Sequence, residues 1–86
     1  MQYQVTCVKT EYPSHEGITE LGGPNWRGSR QEVINSINAG NVFYTLVGGK
    51  RADVGVRVEP GKLPYLQTHA DGFWDNNLLA LQSCPW

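Results

Sequence analysis

A glycine-rich loop (GGPNWRG) places an aromatic and a basic side chain directly before a predicted helix. Trp26 and Arg27 lie in this loop, and Arg30 follows in the first helical turn. The N-terminus of a helix attracts anions, arginine binds phosphate through two parallel hydrogen bonds, and tryptophan stacks on rings. The stretch therefore predicts a site for a small anionic or nucleotide-like ligand, although it lacks the P-loop pattern G-x-x-x-x-G-K-[ST]. The alternative is a solvated loop with Trp26 on a sheet edge and the arginines paired to Glu20 or Glu32.

Two further groups of polar residues could contribute to such a site. Lys50 and Arg51 follow the Gly-Gly of a predicted hairpin, where they would complete a basic rim. His69 and Asp71 could form a proton-transfer pair or, with Asp75, a weak metal site. A turn explains Asp71 more simply, so we expect no catalytic residue, metal or cofactor. The predicted ligand-binding residues are Trp26, Arg27, Arg30, Lys50, Arg51, His69, Asp71 and Trp74.

The aromatic residues allow two interpretations. Trp26, Trp74 and Trp86 are many tryptophans for a chain of 86 residues. Phe43 and Tyr44 are adjacent in a predicted strand, so one of them should face outward. An exposed aromatic patch would mark a partner or ligand surface, whereas buried aromatics would enlarge a small core.

The two cysteines, Cys7 and Cys84, lie near opposite ends of the sequence. A small secreted domain usually carries more cysteines at shorter spacings, so we expect two free, buried thiols, with a disulfide as the alternative. Neither cysteine has an activating histidine nearby in sequence. No Cys-x-x-Cys or Cys/His spacing indicates zinc.

Composition narrows the function classes. The chain has 7 Lys and Arg against 8 Asp and Glu, a net charge of −1, whereas a protein that binds nucleic acid polymers usually has a basic excess. No apolar run is long enough to span a membrane, and no leader pattern opens the chain. We expect a single domain over residues 1–86 in the cytoplasm. Homo-oligomers would hide apolar area that so short a chain leaves exposed.

The elements that must position these residues can be read locally. Ser29 and Glu32 form a capping box, Val33, Ile34 and Ile37 share one helical face, and Gly40 ends the helix. A hairpin follows, with strands over residues 42–47 and 52–58 that turn at Gly-Gly. Residues 2–9, 17–21 and 63–68 are further predicted strands, and 22–28 and 69–77 are predicted loops. The expected fold class is α+β, an antiparallel sheet of about five strands (β-β-α-β-β-β) packed against one short helix.

Most of the chain resembles a known family. The segments EVINSINAG-NVFYTLVGGKRADVGV, PYLQTHADG and NNLLALQSC carry the resemblance. It is a small family of bacterial, archaeal and phage-associated proteins that is catalogued only as a domain of unknown function. The chain departs from the family pattern at Gln82-Ser83, where Leu-Pro is usual. The best markers are Gly40, Tyr44, Tyr65, Leu66, Thr68, Asp71, Leu78, Leu81 and Cys84.

The resemblance implies one compact domain and no particular activity. The leading hypothesis is a non-enzymatic, homo-oligomeric module that binds a small anionic or nucleotide-like ligand. By analogy, the phage association implies sequestration of a host immune signalling nucleotide in an infected bacterial cell. The alternatives are a protein–protein adaptor that uses a sheet edge or an aromatic patch, and a small hydrolase that uses His69 and Asp71.

Overall fold

The computed structural model describes residues 1–70 and 72–86, so the predicted site residue Asp71 lies outside the described residues. One α-helix, one 3₁₀ turn (His15–Gly17) and nine strands make up the described chain. In order they are β1 (Gln2–Gln4), β2 (Cys7–Thr10), β3 (Ile18–Gly23), β4 (Trp26–Ser29), α1 (Arg30–Asn38), β5 (Val42–Val47), β6 (Lys50–Arg57), β7 (Tyr65–Ala70), β8 (Phe73–Asp75) and β9 (Gln82–Ser83). This α+β architecture confirms the predicted fold class.

The strands form two sheets, and both are mixed. One has five strands in the order β1-β5-β6-β7-β8, and the other has four in the order β4-β3-β2-β9. The β1–β5 and β2–β9 pairs are parallel, whereas all the others are antiparallel. The prediction of a purely antiparallel sheet was therefore wrong. Both parallel pairs join segments that are distant in sequence, so no short turn signal marks them.

The N-terminal strand passes from one sheet into the other. It was predicted as continuous over residues 2–9, but Val5 and Thr6 separate β1 from β2. The Val5 N–H donates to the Tyr44 carbonyl at 2.7 Å in the first sheet, and the Thr6 N–H donates to the Gly22 carbonyl at 2.8 Å in the second. This two-residue bend lets one strand supply an edge to the larger sheet and a central strand to the smaller one.

Helix α1 has the predicted ends. The Ser29 side chain accepts a hydrogen bond from the Glu32 N–H, and the Glu32 side chain accepts one from the Ser29 N–H. At the other end Gly40 has φ 101°, and the N–H of Asn41 reaches the Ser36 carbonyl at 3.1 Å. These bonds satisfy the groups that a helix terminus leaves unpaired.

The central hairpin also forms as predicted, with Gly48 and Gly49 at φ 59° and 77°. Its second strand ends at Arg57, so the predicted end of this strand at Val58, which is 74% exposed, was wrong. Two predicted loops contain strand residues, because β4 (Trp26–Ser29) begins within residues 22–28 and β8 lies within residues 69–77.

The core lies between the two sheets and the inner face of α1. Ile18, Leu21, Leu66 and Leu78 are completely buried. The rest of the buried apolar cluster consists of Val5, Val8, Val33, Ile34, Phe43 and Val54. In the described part of the chain, no helix is long and apolar enough to cross a membrane.

Cys7 and Cys84 form a disulfide, so the prediction of two free thiols was wrong. The two residues are 77 positions apart in sequence. They meet because β9 runs beside β2, where Cys7 pairs with Gln82 and Val8 with Ser83. Topology brings the cysteines together, and sequence spacing alone does not show it.

Candidate functional site: an aromatic cleft beside the helix

The helix N-terminus is already occupied by a carboxylate of the chain itself. Glu32 Oε1 accepts the Ser29 N–H at 2.9 Å, and Ser29 Oγ accepts the Glu32 N–H at 3.1 Å. The bond from the Ser29 backbone, and then the contact with its hydroxyl, lower the pKa of the Glu32 carboxyl. A ligand anion at this position would meet a negative charge and fewer free donors. The helix terminus itself is therefore a poor anion site.

Arg30 points away from Trp26 and Arg27. Its Nη1 donates to the carbonyl of Glu16 at 2.9 Å and to that of Ile18 at 3.4 Å. It lines a cavity of about 340 Å³ whose other charged residues are Glu11, Glu16 and Lys62. Two carboxylates and two cations balance in this cavity, so it has no positive excess for an anion.

Trp26 forms an aromatic cluster with Tyr3 and Phe43. Its ring centroid lies 5.1 Å from that of Phe43 and 6.2 Å from that of Tyr3, edge to face in both cases. Tyr3 and Phe43 stack at 5.1 Å. The Trp26 indole Nε1 donates to the Gln4 carbonyl at 2.9 Å, which fixes the ring. Three strands that are distant in sequence thus build one rigid aromatic wall.

We name the opening beside this wall the aromatic cleft. It has a volume of about 240 Å³ between the wall and α1. Tyr3, Trp26, Phe43 and Val33 line its apolar part, and Arg27 and Glu32 lie at its polar rim. Tyr3 and Trp26 also line a second cavity of about 320 Å³, together with Gln4 and Tyr44.

Arg27 is the cation at the rim of the cleft. Its guanidinium carbon lies 5.1 Å from the centroid of the Trp86 ring. Among residues 1–70 and 72–86 it forms no ion pair. Arginine at a stacked position keeps its donors free in the plane of the guanidinium, so Arg27 can still bind an anion.

Arg51, His69 and Trp74 lie on a different surface, the outer face of the five-stranded sheet. Arg51 Nε bonds Asp53 Oδ1 at 3.1 Å, and its guanidinium carbon lies 4.2 Å from the Tyr44 ring centroid. His69 meets Trp74 edge to face at 5.4 Å. Lys50 is exposed at the hairpin tip. These side chains therefore do not complete a rim around Trp26 and Arg27.

An open depression lies on the outer face of the five-stranded sheet. Arg51, Asp53, His69 and Ala70 line this depression of about 340 Å³. Within the described residues, the hydrogen bonds join His69 to no carboxylate, and no group of three His, Cys, Asp or Glu side chains could hold a metal ion. Asp71, the proposed partner of His69, is not described.

Sequence reasoning missed two walls of the cleft. Tyr3 falls within the predicted strand over residues 2–9 and has no local feature that singles it out, and Phe43 was one of two adjacent aromatics of which one should face outward. Phe43 is the buried member and Tyr44 the half-buried outer one, as alternation predicts. Their convergence on Trp26 depends on the parallel β1–β5 pairing, in which Tyr3 faces Phe43, and no local pattern reveals that pairing.

Comparison with curated proteins and with solved structures gives no match. A family of proteins of unknown function, DUF3892, matches residues 4–82. This range covers nearly the whole chain, including the helix and most of both sheets, whereas Tyr3 of the aromatic cleft lies outside it. The chain belongs to the DUF3892 family.

Proposed function

We propose that the protein is a non-enzymatic binding module that holds a small anionic, ring-containing ligand, such as a nucleotide, in the aromatic cleft. The observation that supports this proposal is the cleft itself. It combines a fixed aromatic wall with a rim arginine that has no ion pair among the described residues. The ligand's ring would contact Trp26, and its anionic group would bind Arg27.

The size of the cleft limits the ligand. A volume of about 240 Å³ is below the roughly 300–1,000 Å³ of pockets that enclose drug-sized molecules. One ring system would fill the apolar part, beside Trp26 and Val33, and the rest of the ligand would remain outside. Since the ring faces are fixed before binding, little conformational entropy is lost there.

The rim charges orient the ligand. Glu32 and Arg27 both border the cleft, so an anionic group is repelled from the helix side and attracted to the β4 side. Arg27 is exposed, and its contribution should therefore weaken as salt is added.

Isothermal titration calorimetry with adenosine 5′-monophosphate and with adenosine tests the proposal. We expect the phosphorylated ligand to bind more tightly than adenosine. Arg27→Gln should lower the affinity for the phosphorylated ligand about fivefold and leave the affinity for adenosine unchanged. Trp26→Phe should weaken both ligands, because a smaller ring covers less of the base. Urea unfolding of each variant verifies that the fold is retained.

Lys50→Gln is the matched control, since it removes one exposed cation far from the cleft. It should leave both affinities unchanged. Absence of binding by either ligand, or equal losses in Arg27→Gln and Lys50→Gln, would contradict the cleft as the site.

The proposal also places the module in the cytoplasm, where free nucleotides are available. Thiol reductants keep most cysteines reduced in that compartment. The Cys7–Cys84 bond would then be subject to thiol–disulfide exchange.

A second candidate function is self-association through strand β8, which would make the module a homo-oligomer. This strand is the outermost one of the five-stranded sheet. It carries Phe73, 75% exposed, and Trp74, 44% exposed. A sheet edge with large exposed aromatics is a template for pairing with another strand. We propose a second copy of this chain as the partner, with the two β8 strands side by side.

Sedimentation velocity tests this second candidate. The parent protein should sediment as a dimer at micromolar concentration, and Phe73→Lys should shift it to the monomer, because an edge lysine opposes strand pairing. Val58→Lys is the control, since Val58 is equally exposed at 74% but lies outside every strand. A monomeric parent, or a dimer that survives Phe73→Lys, would rule out this edge as the interface.

A further inference from the structure

Residues 82–86 begin as the edge strand of the four-stranded sheet and are held to it at several points. Strand β9 extends the sheet beside β2, and the Cys84 N–H donates to the Val8 carbonyl at 3.1 Å. The disulfide joins Cys84 to Cys7 next to this bond. Cys7 and Cys84 are 4% and 7% exposed, so the covalent link is buried.

Beyond the disulfide, Trp86 lies directly over Gly22. A Cβ atom at Gly22 would collide with the Trp86 ring, so only glycine allows the ring to approach the sheet this closely. Gly22 pairs with Arg27 across the β3–β4 ladder. The Arg27 guanidinium carbon accordingly lies 5.1 Å from the Trp86 ring centroid. The disulfide, Trp86 and Arg27 therefore form a continuous chain of contacts that ends at the rim of the aromatic cleft.

We propose that Trp86 is a positioning residue for Arg27, and that the Cys7–Cys84 disulfide controls it. In the oxidised protein the bond holds Trp86 over Gly22, and the ring holds the guanidinium beside the cleft. In the reduced protein the segment loses its covalent anchor, and Arg27 loses its support. The affinity of the cleft for an anion then depends on the oxidation state of the two cysteines. This inference rests on the proposed function.

The redox step is an ordinary thiol–disulfide exchange with a dithiol reductant. A thiolate of the dithiol attacks one cysteine sulfur, the protein S–S bond breaks, and the other cysteine leaves as a thiolate that takes up a proton. The second thiol of the reductant then displaces the first cysteine and closes a disulfide on the reductant. Two electrons and two protons pass to the protein. Because the bond is buried, exchange requires local opening of residues 82–86.

Release of Arg27 has a specific consequence for binding. A mobile arginine must be ordered when it binds the ligand's anionic group, whereas a stacked arginine is already ordered. The cost of ordering one such side chain corresponds to about a threefold to tenfold loss of affinity. The aromatic wall does not depend on Trp86, so the affinity for an uncharged ring ligand should not change when Arg27 is released. If residues 82–86 had only a general structural role, their release would lower the affinity for both ligands equally.

Calorimetry with adenosine 5′-monophosphate and adenosine on the full chain tests the inference. Dithiothreitol treatment, confirmed by two titratable thiols, and Trp86→Ala in the oxidised protein should each weaken the phosphorylated ligand about threefold to tenfold. Neither should change adenosine binding. Trp86→Phe keeps a ring over Gly22 and should restore most of the affinity, and dithiothreitol should add nothing to Trp86→Ala.

Two results would overturn the inference. One is an equal loss of affinity for both ligands, either on reduction or in Trp86→Ala. The other is an unchanged affinity for the phosphorylated ligand. If neither ligand binds even the oxidised parent, the proposed function fails, and the positioning role is then decided by NMR. Heteronuclear relaxation of the Arg27 side-chain Nε–H should show a rigid group in the oxidised parent and a mobile one after reduction or in Trp86→Ala. Equal mobility in all three samples would refute positioning itself.

Discussion

At the scale of single residues, a charge cluster anchors the loop between β6 and β7. The Tyr65 hydroxyl donates to Glu59 Oε1 at 2.7 Å, and Lys62 Nζ lies 3.3 Å from Glu59 and 2.8 Å from Glu16. The bond from Tyr65, followed by the one from Lys62, lowers the pKa of the Glu59 carboxyl. The hydrogen bond that the Tyr65 hydroxyl donates to Glu59 raises the pKa of that hydroxyl.

These two pKa shifts predict a loss of stability at opposite ends of the pH range. The pKa of Glu59 is below its unfolded value of about 4.3, so its contribution is complete above that pH and is lost as pH falls through the folded-state pKa. The pKa of Tyr65 is above its unfolded value of about 10, so its contribution is complete below that pH and is lost as pH rises through the folded-state pKa.

We therefore expect Tyr65→Phe to flatten the pH profile of stability at both ends. The phenyl ring keeps the buried packing, but the hydroxyl that shifts both pKa values is gone. Urea midpoints measured from pH 2 to 11 should fall less steeply in the variant than in the parent, below about pH 4.3 and above about pH 10. Tyr12→Phe, at an exposed tyrosine, is the control and should follow the parent. Parallel profiles for Tyr65→Phe and the parent would disprove the coupling.

At the scale of elements, local signals predicted local structure. The capping box at Ser29, the left-handed Gly40 and the hairpin at Gly48-Gly49 each act within a few residues, and α1, β5 and β6 appear where these signals place them. Strand β4 was not predicted, because the glycine-rich stretch in which it begins has a low strand propensity. Its ladder with β3, in which Trp26 faces Gly23, overrides that propensity.

The candidate site was only half predictable for the same reason. Trp26 and Arg27 were identified because a loop before a helix is a recognisable local context. Arg30 was included with them, but its guanidinium binds the Glu16 and Ile18 carbonyls, which another segment supplies. An arginine's partner can be predicted from sequence only when it lies on the same element.

At the scale of the whole molecule, the disulfide closes the fold into one connected unit. A chain of 86 residues buries a modest fraction of its unfolded surface, so a covalent bond adds a large share of its stability. The bond spans 77 positions and joins β2 to the segment beside β9, so it constrains both sheets through one strand. The β1–β2 strand transmits that constraint, because it enters both sheets at Val5 and Thr6.

Removing this bond should therefore destabilise the whole domain. Closing a loop of 77 positions restricts the unfolded chain, and the entropic model assigns such a loop about 4.5 kcal/mol. Urea unfolding with and without dithiothreitol should show a loss of about 2–5 kcal/mol in the free energy of unfolding. The double variant Cys7→Ala/Cys84→Ala should match the reduced parent within about 1 kcal/mol and should not respond to dithiothreitol. Identical curves for oxidised and reduced parent would mean that the noncovalent contacts between the sheets carry the fold. In that case the disulfide would act only on the segment that holds Trp86.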